Sequence, residues 1–223
     1  MKIIEQSHEI IHLPENSLQM IEAAGRTCYK SENKITDTSA ENFVKMLRDR
    51  GHEAMLEFGD ITVKFITNRG VTHELVRHRL FSFAQESTRY VKYGGDTEFI
   101  RPVWCSEKML GLWNFDNPLL ETKSLPYNEL TESEWIFFDF CHEAEVSYKY
   151  LLDEGWRPEQ AREVLPNSLK TEIVVKGNIR EWRHTFKLRT SKKAHPQMRA
   201  LMLPLLEELQ QKIPVVFDDV YAG

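Results

Sequence analysis

The chain opens on an isoleucine-rich stretch over residues 2–12. Its alternation of apolar and polar positions is imperfect, but its composition predicts a strand, closed by Pro14. Asn16 or Ser17 stands where a cap begins a helix reaching residue 29, with Leu18, Ile21, Ala24 and Cys28 on its inner face. A polar loop over 30–38 ends in Thr38, which with Glu41 has capping-box spacing for a helix to residue 50, where Gly51 breaks it. Residues 61–67 read as a strand, and Gly70 opens a helix expected to carry Arg77.

Beyond the Gly94-Gly95 turn, 98–104 has the makings of a short strand. Residues 105–130 show little periodicity, contain Pro118 and Pro126, and read as a loop or insertion. Thr131 and Glu134 form a second capping-box pattern, opening a helix to residue 153 with Phe137, Cys141, Ala144, Tyr148 and Leu151 as its core stripe. Gly155 stops it, and Pro158 suits the first turn of a short helix over 158–165 that presents Arg162. A strand over 169–176 and the segment 178–189 follow. A last helix over 195–212 has Met198, Leu201, Leu205 and Leu209 inward and Pro204 in its interior, where a kink or restart is expected. No glycine-rich dinucleotide fingerprint follows any strand, which argues against a Rossmann-type cofactor site.

The length of 223 residues, 41% hydrophobic and 28% charged, is enough for one domain with an adequate core. A net charge of −5 argues against general nucleic-acid binding, so local basic clusters are read as sites for small anions. Cys28, Cys105 and Cys141 are far apart, odd in number and without a CxxC pair, which points to a reducing compartment and to neither a disulfide framework nor a metal site. The first residues lack the apolar run of a signal peptide, and no 18-residue apolar stretch occurs. A cytoplasmic protein without a membrane partner is therefore expected.

Against this ordinary background the run 77–90, RHRLFSFAQESTRY, is unusual: three arginines and a histidine among aromatics, with no glycine or proline. On a helix, at about 100° per residue, Arg77 and Arg79 point to opposite sides of the axis. Either one is a solvated surface cation, or the helix lies where ligands or subunits meet on both sides. The segment 178–189 sets a comparable choice. On a helix Asn178 and Arg189 share one face about 16 Å apart, as two ends of a bound dinucleotide and nucleotide require or as a plain solvated face allows.

The spacing Arg77-His78-Arg79, seven residues, then Ser87, closed by Arg89-Tyr90, resembles the signature of the flavin-dependent thymidylate synthases. Residues 161–166, with Arg162 before Pro166, and 178–189, an Asn-x-Arg followed by an aromatic, a histidine and Leu-Arg, are similar to further family segments. The resemblance implies an α+β fold, one domain over 1–223 built as a mixed sheet with several long helices. It implies methylene transfer from methylenetetrahydrofolate to C5 of dUMP and reduction by FAD that NADPH has recharged, giving dTMP and tetrahydrofolate. It also implies a homotetramer with active sites shared between subunits.

Carried over position by position, the resemblance assigns dUMP to Glu74, Arg77, Gln85, Glu86, Ser87, Thr88, Arg89, Arg162 and Arg189. It assigns FAD to Ala54, Arg77, His78, Arg79, Gln85, Asn178, Arg180 and His184. His52 and Tyr90 fall in the vicinity of folate and flavin. Two positions depart from the family pattern: Phe58 stands where a second histidine is common, and Gln85 where a glutamate is. They leave open a relative that keeps flavin and nucleotide but forms no dTMP. The basic run with its aromatics also fits a nucleotide- or RNA-binding module, which the acidic charge opposes.

The chemistry agrees with these residues. C5 of uracil is a poor nucleophile, and none of the three cysteines lies in a motif that would activate it by thiolate addition. Activation then falls to a fixed cation near N3 and O4 of the ring, for which Arg189 is the expected catalytic residue. Ser87 has no identifiable base and is expected to bind rather than attack.

Overall fold

The computed structural model describes residues 1–113 and 129–221. In chain order, β1 (Lys2–Ile4) and β2 (Ser7–His12) precede α1 (Ser17–Thr27) and α2 (Ser39–Asp49). A 3-10 turn over Glu53–Phe58 leads to β3 (Asp60–Asn68), α3 (Arg69–Leu75) and β4 (Ser82–Gln85). Then come β5 (Glu98–Ile100), β6 (Gly111–Leu112), α4 (Glu132–Asp153) and α5 (Pro158–Ala161). The chain ends with β7 (Lys170–Asn178), α6 (Ile179–Arg189), α7 (Pro196–Lys212) and α8 (Pro214–Phe217). The expected α+β class is what is found. Among the described residues no helix is long and apolar enough to cross a membrane.

The chain divides into two compact units. The first takes Met1–Ser7, Ile66–Leu75 and Gln85–Ile173; the second takes His8–Phe65, Val76–Ala84 and Val174–Gly223. In the first, a three-stranded sheet of order β5-β1-β6 pairs β1 parallel to β5 and antiparallel to β6, with Ile3 opposite both Phe99 and Gly111. Ile3, Phe99, Trp113, Phe138, Cys141 and Leu169 form its core. α4 starts on the expected capping box: Thr131 accepts from the Glu134 amide, and Glu134 accepts from the Thr131 amide at 2.8 Å. In the second unit the core is aromatic. Trp182 meets Phe81 at 4.6 Å and Phe186 at 5.7 Å between ring centroids, and its indole N–H donates to the Ile61 carbonyl. A four-stranded sheet has the order β2-β3-β7-β4.

Several expectations are corrected. The single strand over 2–12 is two strands in different sheets, because the chain turns at Glu5, which accepts from Arg101, and Gln6, which accepts from Thr67. Thr38 makes no capping bond. Ser39, the first helical residue, bonds outside the helix, accepting from the Thr36 amide and donating to the buried Glu22. Cys28 is exposed rather than packed in the core, where Ile21 and Gly25 lie instead. The helix that opens near Gly70 ends at Leu75, before Arg77. The chain there forms a turn in which the Phe81 amide donates to the His78 carbonyl, and both side chains are buried. α7 runs unbroken through Pro204, held on both sides of it by buried Leu201, Met202, Leu205 and Leu206. Of the expected loop over 105–130, residues 114–128 lie outside the described residues. The rest includes a 3-10 turn and β6.

Candidate active site

The expected site residues fall into two groups, one in each unit. In the first unit, α3 is opened by Asn68, whose side chain accepts from the Val71 amide at 2.8 Å. Glu74 lies half-buried near its end. Gln85 closes β4 and its amide donates to Thr72 at 3.0 Å and Thr171 at 3.3 Å. Glu86 is committed as well: its carboxylate accepts from the Tyr93 hydroxyl at 2.9 Å and the Glu172 amide at 3.2 Å, with Lys170 3.5 Å away. Burial first, then the Glu86 charge, pushes the Tyr93 phenol above its usual range. Gln85 and Glu86 therefore shape the floor of the segment that follows.

That segment is a turn in which the Ser87 carbonyl accepts from the Tyr90 and Val91 amides, and the Ser87 hydroxyl accepts from the Arg89 amide. Arg89 and Tyr90 are exposed, with the guanidinium over the Tyr90 ring. Thr88 is buried, and Arg162 donates to its hydroxyl at 3.2 Å. Both line a pocket of about 200 Å³ with Arg69, His73, Asn167 and Leu169. Arg69 and His73 were not expected. They lie four residues apart on α3 and so share a face, which was the signal available. Nη1 of Arg69 is buried with no hydrogen-bond partner. Glu163 also lines it, 3.6 Å from Nε of Arg162, so the unmet buried donor of Arg69 is the group that most favours an oxyanion there.

In the second unit, α6 and its cap position four of the expected residues. Its start is seated by close approach: the Ile179 amide donates to the Gly59 carbonyl, and a β-carbon on Gly59 would run into the Ile179 side chain. Asn178 is not within the helix but caps it, accepting from the Glu181 amide at 2.8 Å. Asn178, Arg180 and His184 line a cleft of about 480 Å³ together with Leu80, Glu53, Glu57 and Glu181. Arg180 is paired to Glu57 at 2.6 Å. A second cleft of about 280 Å³ holds His52 and Ala54 with Gly25, Cys28, Tyr29, Leu47 and Met55. The turn over Glu53–Phe58 separates the two: Glu53 and Glu57 face one, Ala54 and Met55 the other. Phe58 is exposed and lines neither.

The basic motif divides in the same unit. Arg77 and Arg79 are exposed, whereas His78 is buried and only 7% accessible. Its Nε2 accepts from Nε of Arg189 at 2.9 Å, and its Nδ1 lies 3.3 Å from the Thr185 hydroxyl. Burial, then the Arg189 charge, then His184, lowers the imidazole to about 4. The partner of Arg189 is thus neutral near pH 7. The arginine is half-buried.

The family model described as "Thymidylate synthase complementing protein" matches residues 9–215. The flavin-dependent thymidylate synthase of Corynebacterium efficiens is 34% identical over 207 residues, covering 90% of this chain and 78% of the relative. The chain belongs to the flavin-dependent thymidylate synthases. The enzyme of that name from Mycolicibacterium gilvum is 35% identical over 211 residues, with 90% of this chain and 78% of the relative covered. The fold is shared with a UMP/dUMP methylase PolB from Streptomyces cacaoi, solved with 5-Br dUMP. That structure has a TM-score of 0.74 and 21% identity, covering 98% of this chain and 96% of that one. Membership makes this chain an enzyme of the methyltransferase class that works with a flavin.

Its residues fit that cofactor. Arg180 and the Asn178 amide are donors for phosphate and carbonyl oxygens, Glu53 and Glu181 are acceptors for hydroxyl and amino groups, and Leu80 and the largely apolar second cleft suit flat rings.

Proposed function

We propose that this synthase converts dUMP to dTMP, with methylenetetrahydrofolate as one-carbon donor and NADPH as the reductant of its FAD. The observation that carries the reading is the Arg189 guanidinium seated on a neutral buried imidazole. A cation fixed in this way polarises N3 and O4 of a pyrimidine without first having to reorganise, and so raises the nucleophilicity of C5. When bound, reduced flavin supplies the hydride that completes the methyl group.

The remaining roles rest on the donor sets where these exist and otherwise on the family resemblance. Thr88, Arg162 and Arg69 offer donors to the nucleotide phosphate, with the Ser87 turn beside Thr88. Arg77, Arg79, Asn178, Arg180 and His184 serve the flavin, and His52, Ala54 and Tyr90 the ring systems of flavin and folate. Gln85 and Glu86 act through the backbone they hold. Glu74 and Arg89 complete the dUMP set. The thiols add support: burial raises Cys105, and it lifts Cys141 to about 11, so neither is an activated nucleophile. Cytoplasmic residence, a single domain over 1–223 and a homotetramer with shared sites belong to the same reading.

The test is dTMP formation by the purified protein from dUMP, methylenetetrahydrofolate and NADPH under anaerobic conditions. Replacing Cys28, Cys105 and Cys141 together by serine should leave turnover within about tenfold, and Arg189→Ala should remove it. A protein that stays colourless with added FAD and oxidises no NADPH would overturn the reading.

A further inference from the structure

Arginine only donates hydrogen bonds, so the 2.9 Å contact from Arg189 Nε requires an unprotonated Nε2 on His78. The ring proton therefore sits on Nδ1, facing the Thr185 hydroxyl at 3.3 Å. Thr185 is buried and precedes Arg189 by one helical turn, so α6 supplies both the group that orients the imidazole and the arginine that the imidazole holds. The rest of the ring's surroundings are equally defined. Phe81 packs against it at 6.1 Å, His184 lies edge-on at 6.5 Å, and the Glu181 carboxylate is 3.6 Å from Nδ1.

We infer that His78 is a positioning residue for Arg189: as a neutral Nδ1–H tautomer oriented by Thr185, it accepts the arginine Nε–H and fixes the guanidinium that polarises the pyrimidine. This deepens the functional reading and rests on the role it gives to Arg189. It moves the middle residue of the basic motif from the flavin to the nucleotide side of the chemistry. A protonated ring would turn the acceptor into a donor facing a cation and would release the arginine. Burial and the Arg189 charge keep the ring neutral.

Two measurements test this. The first is 15N NMR of the ring nitrogens in histidine-labelled protein at pH 7, with the His78 signals among the eight histidines identified by their loss in His78→Gln. The expected result is a proton on Nδ1 and an accepting Nε2 whose shift changes in Arg189→Ala. A proton on Nε2, or no response to Arg189→Ala, overturns the inference. This arm needs no turnover, so a protein that forms no dTMP would sink the functional reading and leave this result legible.

The second is kinetic. His78→Phe keeps a ring but removes the acceptor, and it should lower kcat for dTMP by about 10²-fold or more with a smaller rise in the dUMP KM, as for loss of one preorganised electrostatic contact. Flavin content should hold, and His78→Gln, whose carbonyl reaches roughly to the Nε2 position, should recover at least about tenfold of the loss. Loss of flavin with turnover per bound flavin preserved would show that His78 serves the cofactor and end the proposal. Thr185→Val is the backup should the phenylalanine variant fail to fold. A weakened Nδ1–H tautomer with a smaller fall in kcat is expected, and no change in either would count against the inference.

Discussion

Gly177 and Phe81 are packed so closely that a β-carbon on the glycine would overlap the phenylalanine ring. Gly177 lies in β7, one residue before the cap of α6, and Phe81 is buried against Trp182 on that helix. The motif turn is thus anchored through a missing side chain. Gly177→Ala should lower stability by about 1–3 kcal/mol, the range for overpacking a well-filled site, read as a shift in urea midpoint at unchanged slope. Because Phe81 also packs on His78, the same variant should lose synthase activity beyond what its stability loss explains at low temperature.

His78 makes a separate claim on pH. Its folded value of about 4 lies below the unfolded value near 6.5, so between these limits the unfolded chain binds more protons and stability rises with pH. The contribution is complete above pH 6.5 and is lost as pH falls toward 4. It amounts to at most about 3 kcal/mol on the linkage relation. Denaturant titrations at half-unit steps should show a steeper slope across pH 4–6.5 in the unaltered protein than in His78→Gln. Parallel curves would remove the claim.

Asp219 acts further into acid. It binds Arg183, which is 2% accessible, also holds Glu53 and donates to the Val216 carbonyl, so α6 is tied to the chain after α8. The Arg183 bond holds the Asp219 carboxyl below its ordinary value, so its contribution is present above about pH 4 and fades below it. Asp219→Asn should cost about 1–2 kcal/mol near pH 7, less than a fully buried pair because Asp219 is 38% accessible. The cost should shrink toward pH 3, checked by thermal unfolding at both pH values.

The orphaned Arg69 donor gives a binding prediction. Arg69→Gln should weaken dUMP by about 5–20-fold in calorimetric titration and leave deoxyuridine, which lacks the phosphate, within about twofold. Equal losses for both ligands would mean that Arg69 supports the pocket rather than the phosphate.

What the sequence made legible follows from how local each signal was. The Thr131–Glu134 box placed the start of α4 because both of its bonds form within four residues. At Thr38 the same pattern forms no capping bond, and the neighbouring Ser39 is held instead by buried Glu22 of another helix. The contact between Arg189 and His78 joins residues 111 apart and leaves no periodic trace. Arg77 and Arg79 do not stand on opposite sides of a helix, because α3 ends at Leu75 and the chain then turns to bury His78 and Phe81. Arg183 stands within a run of charged residues that gives no sign of its burial, yet it is the most buried arginine of α6.

The pair Arg180–Glu57 bears on cofactor affinity rather than stability. Its bond is short, at 2.6 Å, yet both side chains are about half exposed, so the pair adds little to folding. Inside the cleft that Asn178 and His184 share, Glu57 neutralises the cation that an anionic dinucleotide would meet. Glu57→Gln should therefore leave the unfolding midpoint nearly unchanged and tighten FAD several-fold, while Arg180→Ala should weaken it by about tenfold or more. Quenching of flavin fluorescence on titration of the apoprotein, at two salt concentrations, measures both. The gain in Glu57→Gln should fall as salt rises, because it comes from released charge. If instead that variant binds FAD more weakly, Glu57 is a ligand in its own right, and its pairing with Arg180 organises the cleft instead of masking it.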